Sequence, residues 1–551
     1  MKSHVGTRPA TKVAHAPHVV LPVKPARVNQ RRARPPGIAH LRSDGRLTIL
    51  AGARVKSKRY ARRVAARVHA RELLFGAVRR PIRAGASETC SIGGSVNGQA
   101  RPGTLLDGGP AALPWESVLQ GDRQAAARSV ALDVAKRCVD RRCLSQALAL
   151  TAGRSEFPPG VRWLPYGLAS GDVGIALLCA YCDQYQPDEE WDAVGHGFLS
   201  SVSEVDREAG GNLHPGLFRG LGGTVFAVAA LSRVGTRYRR ALGVLDGELA
   251  SLARSAAARL ADDRPGRLVS DFDLVSGVSG LVAGLLGRDP HRSLAPLLTA
   301  LVSLATPTGG APRWATPPEL LGDPSMRSAY PYGNLNCGLA HGIPGPLAAL
   351  ALAFKAGHRV PGQAEAVRCL ADWLTTHRAD DQWGVNWPAA IPLPAPDGTT
   401  APPRPVPARC SWCYGSPGVA RALWHAGEAL DDQRLRALAV EAMTDVLARP
   451  VASRYLNSAT FCHGVSGLLQ VVLRFAHDTR LPQFTAGATQ LVDQILAGFE
   501  PDRPVGYTAL GPDSNRLDRP DLLDGAAGVT MVLLAASTDT EPAWDRVFLL
   551  S

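Results

Sequence analysis

The chain has 551 residues, of which 45% are apolar and 20% charged, so it is long and apolar enough to bury a sizeable core. Its 12 Phe and 10 Tyr are too few for a surface that stacks on bases, which argues against a nucleic-acid partner. No apolar segment has the length of a secretory signal or a membrane span. Ten scattered cysteines are typical of a reducing compartment, and we expect a cytoplasmic protein.

The positive charge is concentrated at the start of the chain. The formal net charge is +13, and residues 1–115 alone carry 22 Lys and Arg against 4 Asp and Glu. This part is rich in Pro, Arg and Ala and has little apolar periodicity, which predicts a largely disordered basic extension over residues 1–114 and a folded domain over 115–551. A basic amphipathic pattern at 55–78 leaves open a peripheral attachment to an anionic membrane.

A short phrase recurs seven times from Tyr166 onward: a turn with the pattern Gly-x-x-Gly, then an apolar stretch of helical character. The first glycines of the seven copies, 49 to 73 residues apart, are Gly171, Gly220, Gly277, Gly342, Gly415, Gly464 and Gly525. Each second glycine is expected to open an apolar helix. Amphipathic stretches such as 239–260 and 363–376 lie between the copies, so each repeat predicts a pair of helices.

The two kinds of helix predict an architecture. A helix that is apolar nearly all round must be buried, whereas an amphipathic helix covers a core on one face. Seven such pairs indicate an all-α double ring, an (α/α)7 toroid with the apolar helices inside. A closed ring places all equivalent turns at one end. The residue before each first glycine, here called the tip residue, should therefore converge there; the tip residues are Ser170, Arg219, Ser276, His341, Tyr414, His463 and Asp524.

Two neighbouring tips carry soft metal ligands. Cys413 directly precedes the tip residue Tyr414, and Cys462 directly precedes His463. Two thiolates and an imidazole suit zinc, and three protein ligands leave one tetrahedral position open, as in catalytic zinc sites. Cys410, three residues before Cys413, is the alternative fourth ligand of a closed structural site. A redox role for this Cys-x-x-Cys pair lacks the surrounding β-α-β pattern.

The remaining cysteines are interpreted as small apolar residues of the core. They include Cys179, Cys182, Cys337 and Cys369.

Several of these segments resemble a known family. The sequences at 338–345 (Gly-Leu-Ala-His-Gly-Ile-Pro-Gly), 412–418 (Trp-Cys-Tyr-Gly-Ser-Pro-Gly) and 462–464 (Cys-His-Gly) look like signature blocks of the lanthionine synthetase C-like family. The sequence Phe-Asp-Leu-Val-Ser-Gly at 272–277 resembles its aspartate block. The resemblance extends over about residues 120–551 and includes all seven repeats. It implies a seven-fold helical toroid with one zinc ion at its centre.

The resemblance also assigns residues to the site. It implies Cys413, Cys462 and His463 as zinc ligands. It implies Asp273, His341, Arg409 and Tyr414 as further active-site residues, with Arg409 placed by its offset of four residues from Cys413. The implied enzyme is a cyclase acting on a dehydrated precursor peptide, beside a separate dehydratase and a membrane transporter complex. The basic extension has no counterpart in the family pattern.

The chemistry of these residues suits that activity. A free cysteine has a pKa of about 8.5, and zinc binding converts it to a thiolate at neutral pH. Addition of the thiolate to dehydroalanine or dehydrobutyrine gives a (methyl)lanthionine thioether through an enolate. His341 is then the expected proton donor, and Arg409 and Tyr414 are expected to stabilise the enolate oxygen. Asp273 would orient His341 or accept the thiol proton.

Other functions stay open at this point. The same site would serve addition of glutathione to dehydrated residues of proteins, and a non-catalytic scaffold could retain a structural zinc. A helical-toroid glycosidase would need paired acids at the tips, where Asp172 and Asp524 are the only obvious candidates, and it would leave the metal ligands unexplained.

Overall fold

The computed structural model describes residues 114–156, 161–208, 214–264, 266–306, 312–396, 406–511 and 514–551. Apart from Pro114, the predicted basic extension and its amphipathic pattern at 55–78 lie outside these residues, so the domain boundary and the membrane attachment stay predictions. Within the described part of the chain, no helix combines the length and the apolar character needed to cross a bilayer.

The described residues form helices with very little sheet. In chain order the α-helices are α1 (Gly121–Val139), α2 (Arg141–Arg154), α3 (Asp172–Tyr185), α4 (Trp191–Glu208), α5 (Leu221–Ala230), α6 (Arg239–Ala261), α7 (Val269–Phe272), α8 (Val278–Leu285), α9 (Leu294–Leu304), α10 (Pro324–Ala329), α11 (Pro344–Lys355), α12 (Gln363–Thr376), α13 (Ser416–Leu430), α14 (Gln433–Ala448), α15 (Val465–Thr479), α16 (Pro482–Ala497) and α17 (Ala526–Ser537). Short 3-10 helices lie at Pro318–Leu320, Val451–Arg454 and Ala543–Phe548. Strands β1 (Asn334–Asn336) and β2 (Ala390–Pro392) pair antiparallel, as do β3 (Ala509–Leu510) and β4 (Arg516–Leu517).

Seven inner helices form a closed ring. These are α3, α5, α8, α11, α13, α15 and α17; each packs against the next, and α17 packs against α3. The helices α1, α4, α6, α9, α12, α14 and α16 form the outer layer, each packed against an inner helix. The predicted all-α toroid of helix pairs is confirmed.

Burial agrees with the two patterns seen in the sequence. Every residue of the inner helix α17 is buried. The outer helix α12 buries only one face, made of Gln363, Ala366, Val367, Leu370, Ala371 and Leu374. Helix α3 begins two to three residues earlier than the sequence predicted, at Asp172, directly after the first glycine of its repeat. Gly171 is its extended N-cap residue, and the second glycine lies within the first turn.

In six of the seven repeats the second glycine is required by close packing; at Gly345 the nearest atom to an added Cβ is 3.1 Å away. Three residues before each first glycine stands a fully buried apolar residue; these are Leu168, Leu217, Leu274, Leu339, Trp412, Phe461 and Leu522. A Cβ added at Gly467 would meet the carbonyl oxygen of Phe461 and come within 3.2 Å of the Cβ of Trp412 in the preceding repeat. Gly174, Gly223, Gly280, Gly418 and Gly528 have equivalent neighbours. The absent side chain therefore lets adjacent repeats approach at the turn end.

Backbone hydrogen bonds join the seven turns into a closed circuit. In each bond a backbone N–H of one turn donates to a backbone carbonyl oxygen of the next turn, at N···O distances of 2.9 to 3.4 Å. The pairs, donor first, are Ala169 and Phe218, Phe218 and Val275, Leu274 and Ala340, Ala340 and Cys413, Cys413 and Cys462, Cys462 and Leu523, and Leu523 and Ala169. All these groups lie two or three residues before a first glycine. The predicted convergence of all seven turns at one end of the ring is therefore confirmed.

The segment Ala543–Phe548, here called the axial segment, fills the centre of the ring. The Phe548 ring stacks on Phe461 at 4.0 Å between centroids and meets the Trp412 ring edge-on at 5.1 Å. It also packs on Phe218, on the other side of the ring, at 5.5 Å. The Trp412 indole N–H donates to the Phe548 carbonyl oxygen at 3.0 Å. Residues from both sides of the ring thus meet on one aromatic side chain.

The prediction for the remaining cysteines is only partly confirmed. Cys179, Cys182 and Cys337 are buried, as expected. Cys369 is exposed, so its assignment to the core was wrong. It lies on α12, whose buried face includes Ala366 and Leu370, and the helical turn directs position 369 away from that face.

The packing at the second glycine predicts a stability difference between two Gly→Ala variants. Gly467→Ala places a methyl group against Phe461 and Trp412 and should destabilise the protein by about 1–3 kcal/mol, the usual cost of overpacking. Gly243 lies within α6 with open space where its Cβ would be. Gly243→Ala should therefore stabilise the helix by about 0.5–1 kcal/mol. Thermal unfolding of both variants measures this; equal melting temperatures would contradict the packing argument.

Candidate active site

Three side chains at the turn end could hold a metal ion together. The Sγ atoms of Cys413 and Cys462 and a ring nitrogen of His463 all lie within 4.8 Å of one another. The backbone N–H of Cys413 donates to the Cys462 carbonyl at 3.3 Å, so the two cysteines are neighbours in the backbone circuit. The preceding residues Trp412 and Phe461 are anchored in the core beneath them. This is the ligand set that the sequence predicts for zinc, brought together by the fold.

The electrostatics of this cluster favour a thiolate. A hydrogen bond with the Cys462 thiol, and further ones with His463 and Ser411, outweigh burial and hold the pKa of Cys413 well below its ordinary value. The pKa of Cys462 is correspondingly raised, first by sharing that proton and then by burial. The pKa of His463 is raised by its hydrogen bond with Cys413, against the opposing effect of burial. The cluster thus holds negative charge on sulfur, as soft metal binding requires.

Cys410 does not join the cluster. It is fully buried, and burial raises the pKa of its thiol to about 11. Its backbone N–H donates to the carbonyl of Arg454 at 3.0 Å. Among the described residues, the group that could bind a metal contains Cys413, Cys462 and His463 without it. This arrangement disfavours the closed four-ligand site.

A histidine–carboxylate pair lies on the neighbouring tips. The Nδ1–H of His341 donates to Asp273 Oδ2 at 2.7 Å. The other oxygen, Oδ1, accepts from the backbone N–H groups of Ser276 and Gly277, each at 2.8 Å. Asp273 is nearly fully buried, whereas the side chain of His341 is 39% exposed. Because Nδ1 is engaged, Nε2 is the ring atom left for proton exchange.

The surroundings of His341 favour its charged form. Burial lowers the pKa of His341, but the hydrogen bond and the charge of Asp273 outweigh it, so the pKa is raised from its ordinary value. Cys413 adds to the increase and Arg219 opposes it. Arg219 is the exposed tip residue of the second repeat, and the glycine pattern alone suggested no role for it. The net result is an imidazole with a larger protonated fraction near neutral pH.

Tyr414 directly follows Cys413 in the chain and contacts Asn336 of β1. Its phenol oxygen accepts a hydrogen bond from Asn336 Nδ2 at 3.2 Å. Burial raises the pKa of Tyr414 to about 12, so the phenol stays protonated at neutral pH. Asn336 was missed at the level of sequence because it lies on β1 rather than in a glycine turn. Its place two residues before the block that starts at Gly338 was the available signal.

Arg409 stands at the edge of the cysteine cluster. Its side chain is exposed, and among the described residues it has no hydrogen-bond or ion-pair partner. Its positive charge lowers the pKa of both Cys462 and His463, as a minor influence after their interactions with Cys413. Arg409 is thus near enough to act on charge at the site, and its long side chain is free to reorient.

Asp524 lies behind His463. Its Oδ1 is 3.8 Å from His463 Nδ1, beyond hydrogen-bond reach, and this buried oxygen has no hydrogen-bond partner among the described residues. Metal-binding histidines are commonly oriented by a carboxylate on the second ring nitrogen. Asp524 occupies the place where such a group would stand. The sequence showed Asp524 only as a tip residue.

Comparisons with known proteins bear on the family and the fold of the chain. The family described as "Lanthionine synthetase C-like protein" matches residues 162–549. The nisin biosynthesis protein NisC of Lactococcus lactis subsp. lactis is 24% identical over 234 residues, which are 41% of this chain. The alignment spans 55% of the length of that protein.

A solved structure described as nisin cyclase has the same fold. It aligns with a TM-score of 0.58 at 21% identity, covering 70% of this chain and 92% of that one. At this identity the likeness concerns the fold alone. The match of the family profile extends over all seven glycine turns, from the first at Gly171 to the last at Gly525. The chain belongs to the lanthionine synthetase C-like family.

Proposed function

We propose that the chain is a cyclase that adds cysteine thiols of a dehydrated peptide to dehydroalanine or dehydrobutyrine, forming (methyl)lanthionine rings. The observation that carries the proposal is the placement of two kinds of group on consecutive tips. The thiol and imidazole cluster of Cys413, Cys462 and His463 lies next to a proton-exchanging pair, Asp273 and His341. Thiol activation and proton delivery are the two tasks that this addition requires.

The donor set fits zinc. Cys413, Cys462 and His463 would hold the ion, and Cys410, whose thiol is buried apart from them, would leave one tetrahedral position open. A zinc ion held there would lower the pKa of an incoming thiol so that it reacts as a thiolate at neutral pH. The separation of Asp524 from His463 supports the same assignment, because the buried Oδ1 of Asp524, which has no hydrogen-bond partner among the described residues, faces the imidazole.

The proton balance assigns roles to His341 and Asp273. In the addition a C–S bond forms at the β-carbon, and the electrons of the C=C bond move toward the carbonyl oxygen. The thiol has released its proton to solvent, and the α-carbon then takes one proton, so hydrogen and sulfur add across the double bond overall. His341 Nε2, the ring nitrogen that the hydrogen bond to Asp273 leaves free, would deliver that proton. The Asp273 carboxylate already accepts three hydrogen bonds, which favours orientation of His341 over acceptance of the thiol proton.

The negative charge that develops on the carbonyl oxygen must be stabilised by hydrogen-bond donors. Tyr414 offers a protonated phenol, and Arg409 offers a mobile guanidinium from the rim. Donors preorganised toward such an oxygen commonly contribute about 10²–10³-fold in rate. The two residues would act on the same oxygen.

The proposal implies partners. The substrate is a precursor peptide that already contains dehydrated residues, so a dehydratase must act before this protein, and a membrane transporter complex would receive the product. The similarity to a nisin biosynthesis protein supports a peptide substrate.

The first test separates the ligands from their neighbour Cys410. Cys413→Ala and Cys462→Ala each remove a ligand and should lose both bound zinc and ring closure, because two remaining ligands hold the ion poorly. Cys410→Ala is the matched control and should keep both. Metal content by mass spectrometry and free thiols counted on a dehydrated peptide provide the measurement. Loss of zinc from Cys410→Ala would instead indicate a closed structural site.

The second test concerns the proton donor. His341→Asn keeps a polar side chain but cannot act as an acid near neutral pH. It should retain zinc and peptide binding and slow ring closure by roughly 10²–10⁴-fold, the usual contribution of a general acid. Zinc and free thiols are measured on the same sample. A zinc-loaded variant with a normal rate would remove His341 from the mechanism.

If added glutathione forms adducts with wild type while rings do not form, the activity is glutathione addition instead.

The third test uses the titration of His341. Asp273 raises the pKa of His341, so Asp273→Asn should lower it, leaving burial to hold it below the ordinary value of about 6.5. The protonated fraction at pH 7 falls, and the limb of the rate profile set by this acid moves to lower pH. The His341 ring signal, assigned with His341→Asn, is followed by NMR. Asp524→Asn is the control and should leave this signal unchanged; an unshifted titration in Asp273→Asn would contradict the role of Asp273.

A further inference from the structure

The side-chain amide of Asn336 has a fixed orientation. Asn336 ends β1 and is only 8% exposed. Its Oδ1 accepts the backbone N–H of Gly338 at 2.9 Å. Only the oxygen of an amide can accept a hydrogen bond, so the NH2 group must face the other way. There it donates to the phenol oxygen of Tyr414 at 3.2 Å.

This orientation determines what the Tyr414 hydroxyl can do. A hydroxyl has one proton to donate and lone pairs that accept. Since Asn336 donates to the oxygen, the phenol cannot return its proton to the same amide group. In the described part of the chain, no carbonyl or carboxylate oxygen accepts the Tyr414 proton. The proton is therefore left for a group outside the protein.

Gly338 positions both the phenol ring of Tyr414 and the side-chain amide of Asn336. A Cβ at this position would lie 2.5 Å from Cδ1 and from Cε1 of Tyr414, so the phenol ring rests directly against the glycine backbone. The same residue supplies the N–H that orients Asn336. Asn336, Gly338 and Tyr414 therefore form one unit across the boundary between the fourth and fifth repeats.

We infer that Asn336 is a positioning residue that makes the Tyr414 hydroxyl a one-way hydrogen-bond donor toward the substrate oxygen. The inference rests on the proposed function and deepens it, because it names the residue that selects between the two possible directions of this hydrogen bond. Asn336 itself does not touch the substrate in this scheme.

Asn336→Asp tests the direction with almost no change of shape. One carboxylate oxygen still accepts the Gly338 N–H, while the other accepts the Tyr414 proton and turns it away from the substrate. We expect kcat for ring closure to fall by roughly 10²-fold, as in Tyr414→Phe, the scale of losing one such donor. Zinc content, melting temperature and the KM for the dehydrated peptide should stay near those of wild type.

A double-mutant cycle separates direction from added charge. In a Tyr414→Phe background there is no proton to turn, so Asn336→Asp should have no further effect on kcat. If the new negative charge were the cause, the loss would persist in that background. An equal loss with and without the Tyr414 hydroxyl would overturn the inference.

Asn336→Ala provides a second, independent comparison. It removes the donor but leaves the Tyr414 proton free, so its rate should lie between those of wild type and Asn336→Asp. A merely structural role predicts the reverse order, because alanine leaves the Gly338 N–H without its acceptor. If Asn336→Asp fails to fold, the coupling of Asn336→Ala with Tyr414→Phe decides: independent effects overturn the inference.

The same assay distinguishes the two levels of the proposal. A wild-type protein that closes no rings on dehydrated peptide refutes the proposed function. A wild type that closes rings, beside an Asn336→Asp variant of normal rate, refutes only the role of Asn336.

Discussion

The closed circuit of backbone hydrogen bonds at the turn end is the constraint on which the site depends. Cys413 and Cys462 are members of the circuit, joined by the hydrogen bond between their backbone groups. Their thiols are therefore spaced by main chain and by the buried rings of Trp412 and Phe461. The spacing of the two thiols is thus a property of the helix ring itself, since the residues that carry them are held by rigid packed elements.

Four polar contacts of the site join neighbouring repeats. Asp273 contacts His341, Asn336 contacts Tyr414, Cys413 contacts Cys462, and His463 faces Asp524. A single helix pair would thus carry only half of each contact, and the site needs the third to seventh repeats packed side by side. The close approach at the second glycines and the chemistry at the tips are consequently two results of the same packing.

Features that repeat along the chain were predictable from sequence, whereas features outside the repeat were not. The glycine register indicated the helix pairs and their common end, and Cys413, Cys462 and His463 stand within it. Asn336 could not be found in this way, because its role depends on a strand that brings it beside Tyr414. The helix starts were placed late because an extended glycine can cap a helix. Cys369 was assigned to the core by residue type alone, whereas its place on the turn of α12 decides its exposure.

The axial segment determines whether solvent and substrate can pass along the axis of the helix ring. Phe548, Trp412, Phe461 and Phe218 are fully buried where they meet, so solvent does not pass through the middle of the ring at that level. The toroid therefore has no continuous channel along its axis at that level. If the substrate is a peptide, as proposed, it cannot pass through the ring at that level, so a bend of the peptide would have to enter and leave the site from the same side. Each thioether ring would then form in a separate binding event, in an order set by the peptide.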